Sequence, residues 1–386
     1  MKKIAATVAG LFYFTLAFCQ EKVPVFVSGT EGHKSFRIPA IVGLPNGDLL
    51  AFCEGRVNGA GDFGDINIVL KRSSNGGKAW TALQTIVDAD TLQAGNPAPV
   101  VDLTDPAYPN GRIFLFYNTG NNHEGEVRKG TGLREAWYKT SADNGRTWSE
   151  AVNITTHVHR PRQPGINAAY NFSEDWRSYA NTPGHAMQFQ GGRYRGRMFV
   201  AANHSAGDPQ KSFTDYAAHG YYTDDHGKTF LLSSTVAIPG SNESTAAELG
   251  DGKLMMNSRN QKGDVRARIV SVSSNGGATW DSSYFDQTLP DPVNEGSLLT
   301  VDKKGANNIL AFCNAADTRR RDNLTLRISY NNGQTWKKAI SIEKSPGNES
   351  DYTAYSDLVK LGNKRLGVLY EREGYKQIVF TGVKWK

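Results

Sequence analysis

The chain has 386 residues, is 39% hydrophobic and 21% charged, and carries a formal charge of +6. That mild positive excess is scattered, with no Lys/Arg block of five or more, so a nucleic-acid footprint is excluded. Three cysteines are too few for a disulfide framework, and an apolar core must hold the fold.

At the start, Lys2 and Lys3 precede an uncharged apolar run from Ile4 to Phe18, and Ala17 and Cys19 occupy the small-residue positions before a signal-peptidase cut. The run is short for a membrane span. Residues 1–19 are therefore expected to be a signal peptide and residues 20–386 a single domain, secreted or periplasmic. A second reading makes Cys19 the lipid-bearing first residue of an outer-surface lipoprotein, although bulky Phe18 stands where a small residue is wanted. Cleavage takes away Lys2 and Lys3, lowering the charge from +6 to +4, and leaves Cys53 and Cys313, enough for at most one disulfide. His157 and His159 flank a single Val, but no Cys/His cluster has zinc spacing, so neither metal nor cofactor is expected.

The rest of the chain is a repeat. An apolar strand is followed by a turn closed by an aromatic residue: LLAFCEGR (49–56) precedes SSNGGKAW (73–80), and IFLFYNTG (113–120) precedes SADNGRTW (141–148). MFVAANHS (198–205) precedes a degenerate TDDHGKTF (223–230), LMMNSRNQ (254–261) precedes SSNGGATW (273–280), and ILAFCNAA (309–316) precedes SYNNGQTW (329–336). A sixth strand, LGVLYERE (366–373), runs out of chain at Lys386. Asp or Asn shortly before Gly is turn chemistry, because the short side chain bonds local backbone and Gly supplies positive φ. Each turn thus joins two strands of a hairpin.

Successive strands start 64, 85, 56, 55 and 57 residues apart. A regular array of β modules avoids exposed edges by closing radially, which predicts an all-β fold, a six-bladed β-propeller. The wider spacings place long insertions at 119–140 and 149–196, where substrate-facing structure belongs. The sixth position of every apolar strand is polar (Glu54, Asn118, Asn203, Arg259, Asn314, Glu371), so near-axis strands would ring a central depression with polar groups.

Phe36-Arg37-Ile38-Pro39 lies just ahead of the first apolar strand. This FRIP tetrapeptide, followed by repeated Asp-box turns, resembles the bacterial sialidases (neuraminidases), and the resemblance covers essentially all of the mature chain. Asn75, Asn275 and Asn331 in place of Asp, Ala79 in place of Thr and Phe230 in place of Trp depart from the Asp-box pattern, but only in turns. The resemblance implies a glycoside hydrolase: an exo-α-sialidase acting on the terminal sialic acids of glycoproteins, glycolipids and oligosaccharides, monomeric and without a cofactor.

It also implies roles. Arg37, Arg259 and Arg321 match the arginines that clamp the sialic acid carboxylate with charge-assisted, orientation-fixing bonds. Arg319 and Arg320 crowd the register of Arg321. Asp62, in the loop Gly59–Gly64, matches the general acid/base and is preferred over Asp65, while Arg56 matches a further substrate-contacting arginine. Tyr355 matches the nucleophile and Glu243 its partner acid, with Glu248 as the alternative. Glu371 matches the carboxylate that orients the first arginine. A tyrosine suits a sugar that carries its own carboxylate on the anomeric carbon, because a neutral phenol avoids the repulsion an anionic nucleophile would meet. Net retention through a covalent sialyl-tyrosine follows. A trans-sialidase would use the same residues, and a sialic-acid-binding propeller without catalysis would need neither Asp62 nor the Tyr355–Glu243 couple.

Overall fold

The computed structural model describes residues 21–347, 349–362 and 364–386; the expected signal peptide and Cys19 lie outside the described residues. Every apolar repeat is a strand, flanked by one strand before it and one after it. Leu49–Arg56, with all eight residues buried, runs between Ser35–Gly43 and Ile66–Ser73; Leu254–Asn260 runs between Ser241–Glu248 and Ala267–Ser273. In most groups the inner position belongs to the preceding strand and not, as expected, to the repeat strand itself; in the third, the repeat strand Met198–Ala206 packs on Ser241–Glu248. Ser35–Gly43 packs on Gln93–Asp102 and on Thr353–Lys360, and Gly296–Lys304 packs on Ser241–Glu248 and on Thr353–Lys360.

The fold is all-β, but the expected six-bladed division is not what the strands form. Four sheets stand as separate blades. They contain Trp176–Asn181 with Met198–Ala206, Ser241–Glu248 with Leu254–Asn260, Gly296–Lys304 with Asn307–Ala315, and Thr353–Lys360 with Arg365–Arg372. The remaining strands, from Ser35–Gly43 to Val152–Asn153, make one continuous eight-stranded sheet. The join is a parallel bridge between Ile66 and Gln93, where the Ile66 N–H donates to the Leu92 carbonyl at 3.2 Å. A repeat of turns and apolar strands carries no signal for a bridge that couples two neighbouring modules.

The aromatic-closed turns share one set of bonds. Ser73 Oγ donates to Asn75 Oδ1 and accepts from the Gly77 N–H at 2.9 Å, while Asn75 Oδ1 accepts from the Ala79 N–H at 2.9 Å. Gly145, Gly227, Gly277 and Gly333 donate in the same way to Ser141, Thr223, Ser273 and Ser329. Gly77 is required twice over: its φ is +88°, and a Cβ there would lie 2.0 Å from the Phe380 ring. Trp80 meets the same ring edge-on at 5.5 Å.

That contact carries the first module onto the last. Lys22–Val27 pairs antiparallel with Gln377–Lys384, Lys22 opposite Thr381, so the two ends of the described chain share one sheet. Burial of Phe380 contributes about 2–3 kcal/mol to this closure. On the axis, the buried Asp357 accepts from the Ile41 N–H at 2.8 Å, the His185 N–H at 2.9 Å and Ser297 Oγ at 2.7 Å, tying three segments to its own strand. Cys53 and Cys313 are buried free thiols, and the single possible disulfide is not formed. Among the described residues no helix is long and apolar enough to cross a membrane.

Candidate active site

The inner strands leave a cavity of about 190 Å³, and Arg37 enters it from the FRIP segment. The register of Ser35–Gly43 against Leu49–Arg56 breaks between Arg37 and Ala40, and Ile38 has φ +60°. A left-handed backbone at a β-branched residue is strained, and such strain persists where surrounding bonds over-determine it. Glu371 supplies those bonds. Its carboxylate accepts from the Ile38 N–H at 2.9 Å, from Arg37 Nε at 2.8 Å and from the Tyr355 N–H at 3.1 Å. The bulge and the carboxylate together aim the Arg37 side chain. Burial opposes the charge of Arg37, but Glu371, Tyr375 and Tyr355 outweigh it and hold the guanidinium more firmly protonated than usual.

Tyr355, on Thr353–Lys360, sits between two partners from another blade. Its hydroxyl donates to Glu243 Oε1 at 2.5 Å and accepts from Arg259 Nη1 at 2.9 Å. The same Nη1 donates to Glu243 Oε2 at 2.7 Å. Arg37 and Arg321 flank the phenol, their Cζ atoms 5.4 and 5.6 Å from the ring centroid. Burial pushes the Tyr355 hydroxyl well above the usual phenol range and Glu243 adds to the shift, outweighing the three arginines. The phenol is therefore neutral at rest, with its proton already aimed at a carboxylate.

Asp62 lies across the cavity in the loop after Leu49–Arg56, with a side chain 69% exposed. Arg56 Nη1 donates to Asp62 Oδ1 at 2.7 Å and to the Ala60 carbonyl at 2.6 Å, and Arg56 Nη2 donates to Glu54 Oε2 at 2.6 Å. Arg37 Nη1 stands 3.9 Å from the same Asp62 oxygen. The partial desolvation of Asp62 favours its neutral form, but Arg56 and Arg37 prevail and hold the carboxyl below the usual range.

Arg37, Arg56, Asp62, Glu243, Arg259, Arg321 and Tyr355 thus line one cavity, with Glu371 directly behind Arg37. The rival choices fall elsewhere. Glu248 accepts from the Gln190 N–H at 2.8 Å, outside the cavity lining, Asp65 does not reach it, and Arg319 and Arg320 hold to Asp317 through their N–H groups. Of the polar sixth positions, Glu54, Asn118, Asn203 and Arg259 line the cavity, whereas Asn314 caps the Pro290 carbonyl at 2.8 Å.

The sequence left two side chains unmarked. Tyr375 covers Arg37, and the buried Glu295, which accepts from the Ser356 N–H at 2.9 Å, is pushed well above the usual carboxylate range by burial and by its neighbours Asp357 and Glu243. The far wall carries Glu124, Arg134, Ser178 and Tyr179, all from the two inserted stretches. Away from the cavity, Asp102, Asp105 and His226 approach within 4.8 Å of one another. Their groups are engaged already: His226 Nδ1 is 2.7 Å from Asp102, and Arg112 donates to Asp105 at 2.9 Å.

Residues 47–367 match the BNR repeat-like domain family. A sialidase of Micromonospora viridifaciens is 32% identical over 363 residues, covering 89% of this chain and 51% of that protein. An exo-alpha-sialidase of Arthroderma benhamiae is 28% identical over 368 residues, covering 89% of this chain and 80% of that protein. A solved Hadza microbial sialidase superposes with a TM-score of 0.76 at 25% identity, over 92% of this chain and 67% of that one. An intramolecular trans-sialidase of Ruminococcus gnavus superposes with a TM-score of 0.71 at 15% identity, over 94% and 98%, a likeness of fold alone. The chain spans about half the length of the Micromonospora protein.

Proposed function

This chain belongs to the BNR repeat-like domain family and to the bacterial sialidase family, and from that premise we propose that it is an exo-α-sialidase. It hydrolyses terminal α-linked sialic acids of glycoconjugates with retention, through a covalent sialyl-tyrosine. The observation that carries this is the Tyr355 hydroxyl, 2.5 Å from Glu243 and bonded to Arg259 among cavity-facing arginines. A site for a neutral sugar would have no use for Arg37, Arg259 and Arg321 gathered around one phenol.

In this mechanism the three arginines take the substrate carboxylate, which fixes the anomeric carbon over Tyr355. The Tyr355 oxygen attacks that carbon while its proton passes to Glu243. On the other side Asp62 protonates the departing glycosidic oxygen. It then deprotonates the water that attacks the sialyl-tyrosine, and Glu243 returns the proton to Tyr355. Two inversions give net retention. Arg56 holds Asp62 and contacts the substrate, and Glu371 orients Arg37.

Residues 1–19 act as an export leader in this proposal, and residues 20–386 work as one monomeric domain, secreted or periplasmic.

The test is release of fluorophore from an aryl α-sialoside by the purified protein and by Tyr355→Phe, with NMR of the first-released anomer. Wild-type turnover giving the α anomer, with loss of at least about a hundredfold in Tyr355→Phe, is expected. Turnover that survives the substitution would remove Tyr355 as nucleophile. A β anomer released first would remove retention, and a bound but uncleaved sialoside would leave a binding propeller.

A further inference from the structure

The turn between Arg365–Arg372 and Gln377–Lys384 holds three consecutive residues at positive φ. Glu373, Gly374 and Tyr375 have φ of 55°, 62° and 66°. Positive φ at a bulky residue such as Tyr375 is an outlier that neighbouring bonds must enforce. Here they do so from two sides. Ser28 Oγ donates to the Tyr375 carbonyl at 2.7 Å and the Ser28 N–H to the Lys376 carbonyl at 2.9 Å. The Glu373 N–H donates to the Tyr352 carbonyl at 2.8 Å and the Gly374 N–H to the Asp351 carbonyl at 3.0 Å.

The result is a side chain in contact with two of the clamp arginines. The Arg37 Cζ lies 3.9 Å from the Tyr375 ring centroid, and Arg321 Nη1 donates to the Tyr375 hydroxyl at 3.1 Å. Glu371 already holds Arg37 along its Nε edge, so the Tyr375 ring covers one face and leaves Nη1 directed at the cavity. Like charges on Arg37 and Arg321 drive the two guanidinium groups apart, and contact with one aromatic residue opposes that drift.

We propose that Tyr375 is a positioning residue for carboxylate recognition, its ring and hydroxyl holding Arg37 and Arg321 at the spacing that lets both engage a single carboxylate. This role rests on the sialidase reading of the cavity. Tyr375 acts through the arginines and need not touch the sugar.

Titration calorimetry of wild type, Tyr375→Phe and Tyr375→Leu against the 2,3-unsaturated analogue of sialic acid, as free acid and as methyl ester, tests it. Tyr375→Leu should weaken binding of the acid by roughly ten- to thirtyfold, and Tyr375→Phe, which keeps the ring, by roughly three- to tenfold. The ester should lose less than about threefold with either variant, because it offers no charge to the clamp. On an aryl sialoside KM should rise while kcat stays within about threefold of wild type, since Tyr355 and Glu243 are undisturbed. Equal losses for acid and ester, or undiminished acid binding in Tyr375→Leu, would overturn the role. If the Leu variant melts early, the Phe variant alone decides, and equal losses there for acid and ester would overturn it too. Wild type that binds neither ligand and cleaves no sialoside would instead overturn the sialidase reading itself.

Discussion

Acidification should strip this fold of stability through one buried cluster beside the candidate site. His159, His204 and His219 are fully buried, and the His204 ring stacks on Trp176 at 3.5 Å. Burial, reinforced by neighbouring histidines and, for His159, by Arg160, pushes His159 and His204 well below the usual range; burial takes His219 down to about 3. All three are neutral in the folded protein at pH 5, whereas in the unfolded chain they gain protons below about pH 6.5. The unfolded state then binds more protons, so this contribution to stability is complete above pH 6.5 and is lost as pH falls toward the folded-state values. Each histidine contributes about 1.4 kcal/mol of loss per pH unit, so a shift from pH 7 to pH 5 costs about 2 kcal/mol apiece and about 6 kcal/mol together. Neither ring nitrogen of His159 has a hydrogen-bond partner, so His159→Phe removes one titrating group without unpairing another. Urea unfolding of both proteins at pH 7, 6 and 5 gives the measurement. The variant should recover about 2 kcal/mol of the loss between pH 7 and 5. Parallel pH slopes for the two proteins would refute the reasoning, because carboxylates elsewhere titrate equally in both.

Two further outcomes concern the site. Arg56 and Arg37 keep Asp62 ionised at rest, and a substrate carboxylate bound at Arg37 weakens that hold, so the alkaline limb for natural sialosides should fall at higher pH in kcat than in kcat/KM; coincident limbs would count against Asp62 as the acid. Glu371→Gln should cost about 3–5 kcal/mol in urea unfolding and raise KM, since it leaves buried Arg37 without its counter-charge, and unchanged stability would show that the bulge is held by something else.

Much of this was legible because turn chemistry and strand polarity are local. Ser73–Trp80 and its counterparts announced hairpins, and FRIP drew attention to Arg37, although nothing in the tetrapeptide announced the bulge that aims it. The blade count failed because it depended on Ile66 meeting Gln93, a bridge between modules that neither module's own pattern encodes. The apolar repeats were placed too near the axis for a related reason: uniform burial in Leu49–Arg56 shows that a strand is covered on both faces, not which neighbour lies inside it. Tyr375 was missed because its Glu-Gly-Tyr turn looks like any exposed hairpin. Its contacts with Arg37 and Arg321 exist only once the last sheet closes onto the first strand. Glu295 and the three buried histidines were invisible for the same reason, since burial is a property of closure.

The geometry around Tyr355 also bears on the order of events in the proposed reaction. A phenol held neutral by burial and by an adjacent carboxylate is a poor nucleophile, and a substrate carboxylate would make a free phenolate costlier still. Full ionisation before attack is therefore the unfavourable route. A shared cation offers another. Arg259 Nη1 bonds both the Tyr355 hydroxyl and Glu243 Oε2. When the proton passes to Glu243 within the 2.5 Å O···O hydrogen bond, negative charge leaves the carboxylate and grows on the phenol oxygen. It stays within reach of the same guanidinium throughout, so little reorganisation is needed. The new bond to the anomeric carbon then takes up that charge as it forms. In the proposed reaction, proton transfer and attack are coupled, because the resting site supplies the acceptor and the cation and withholds the phenolate.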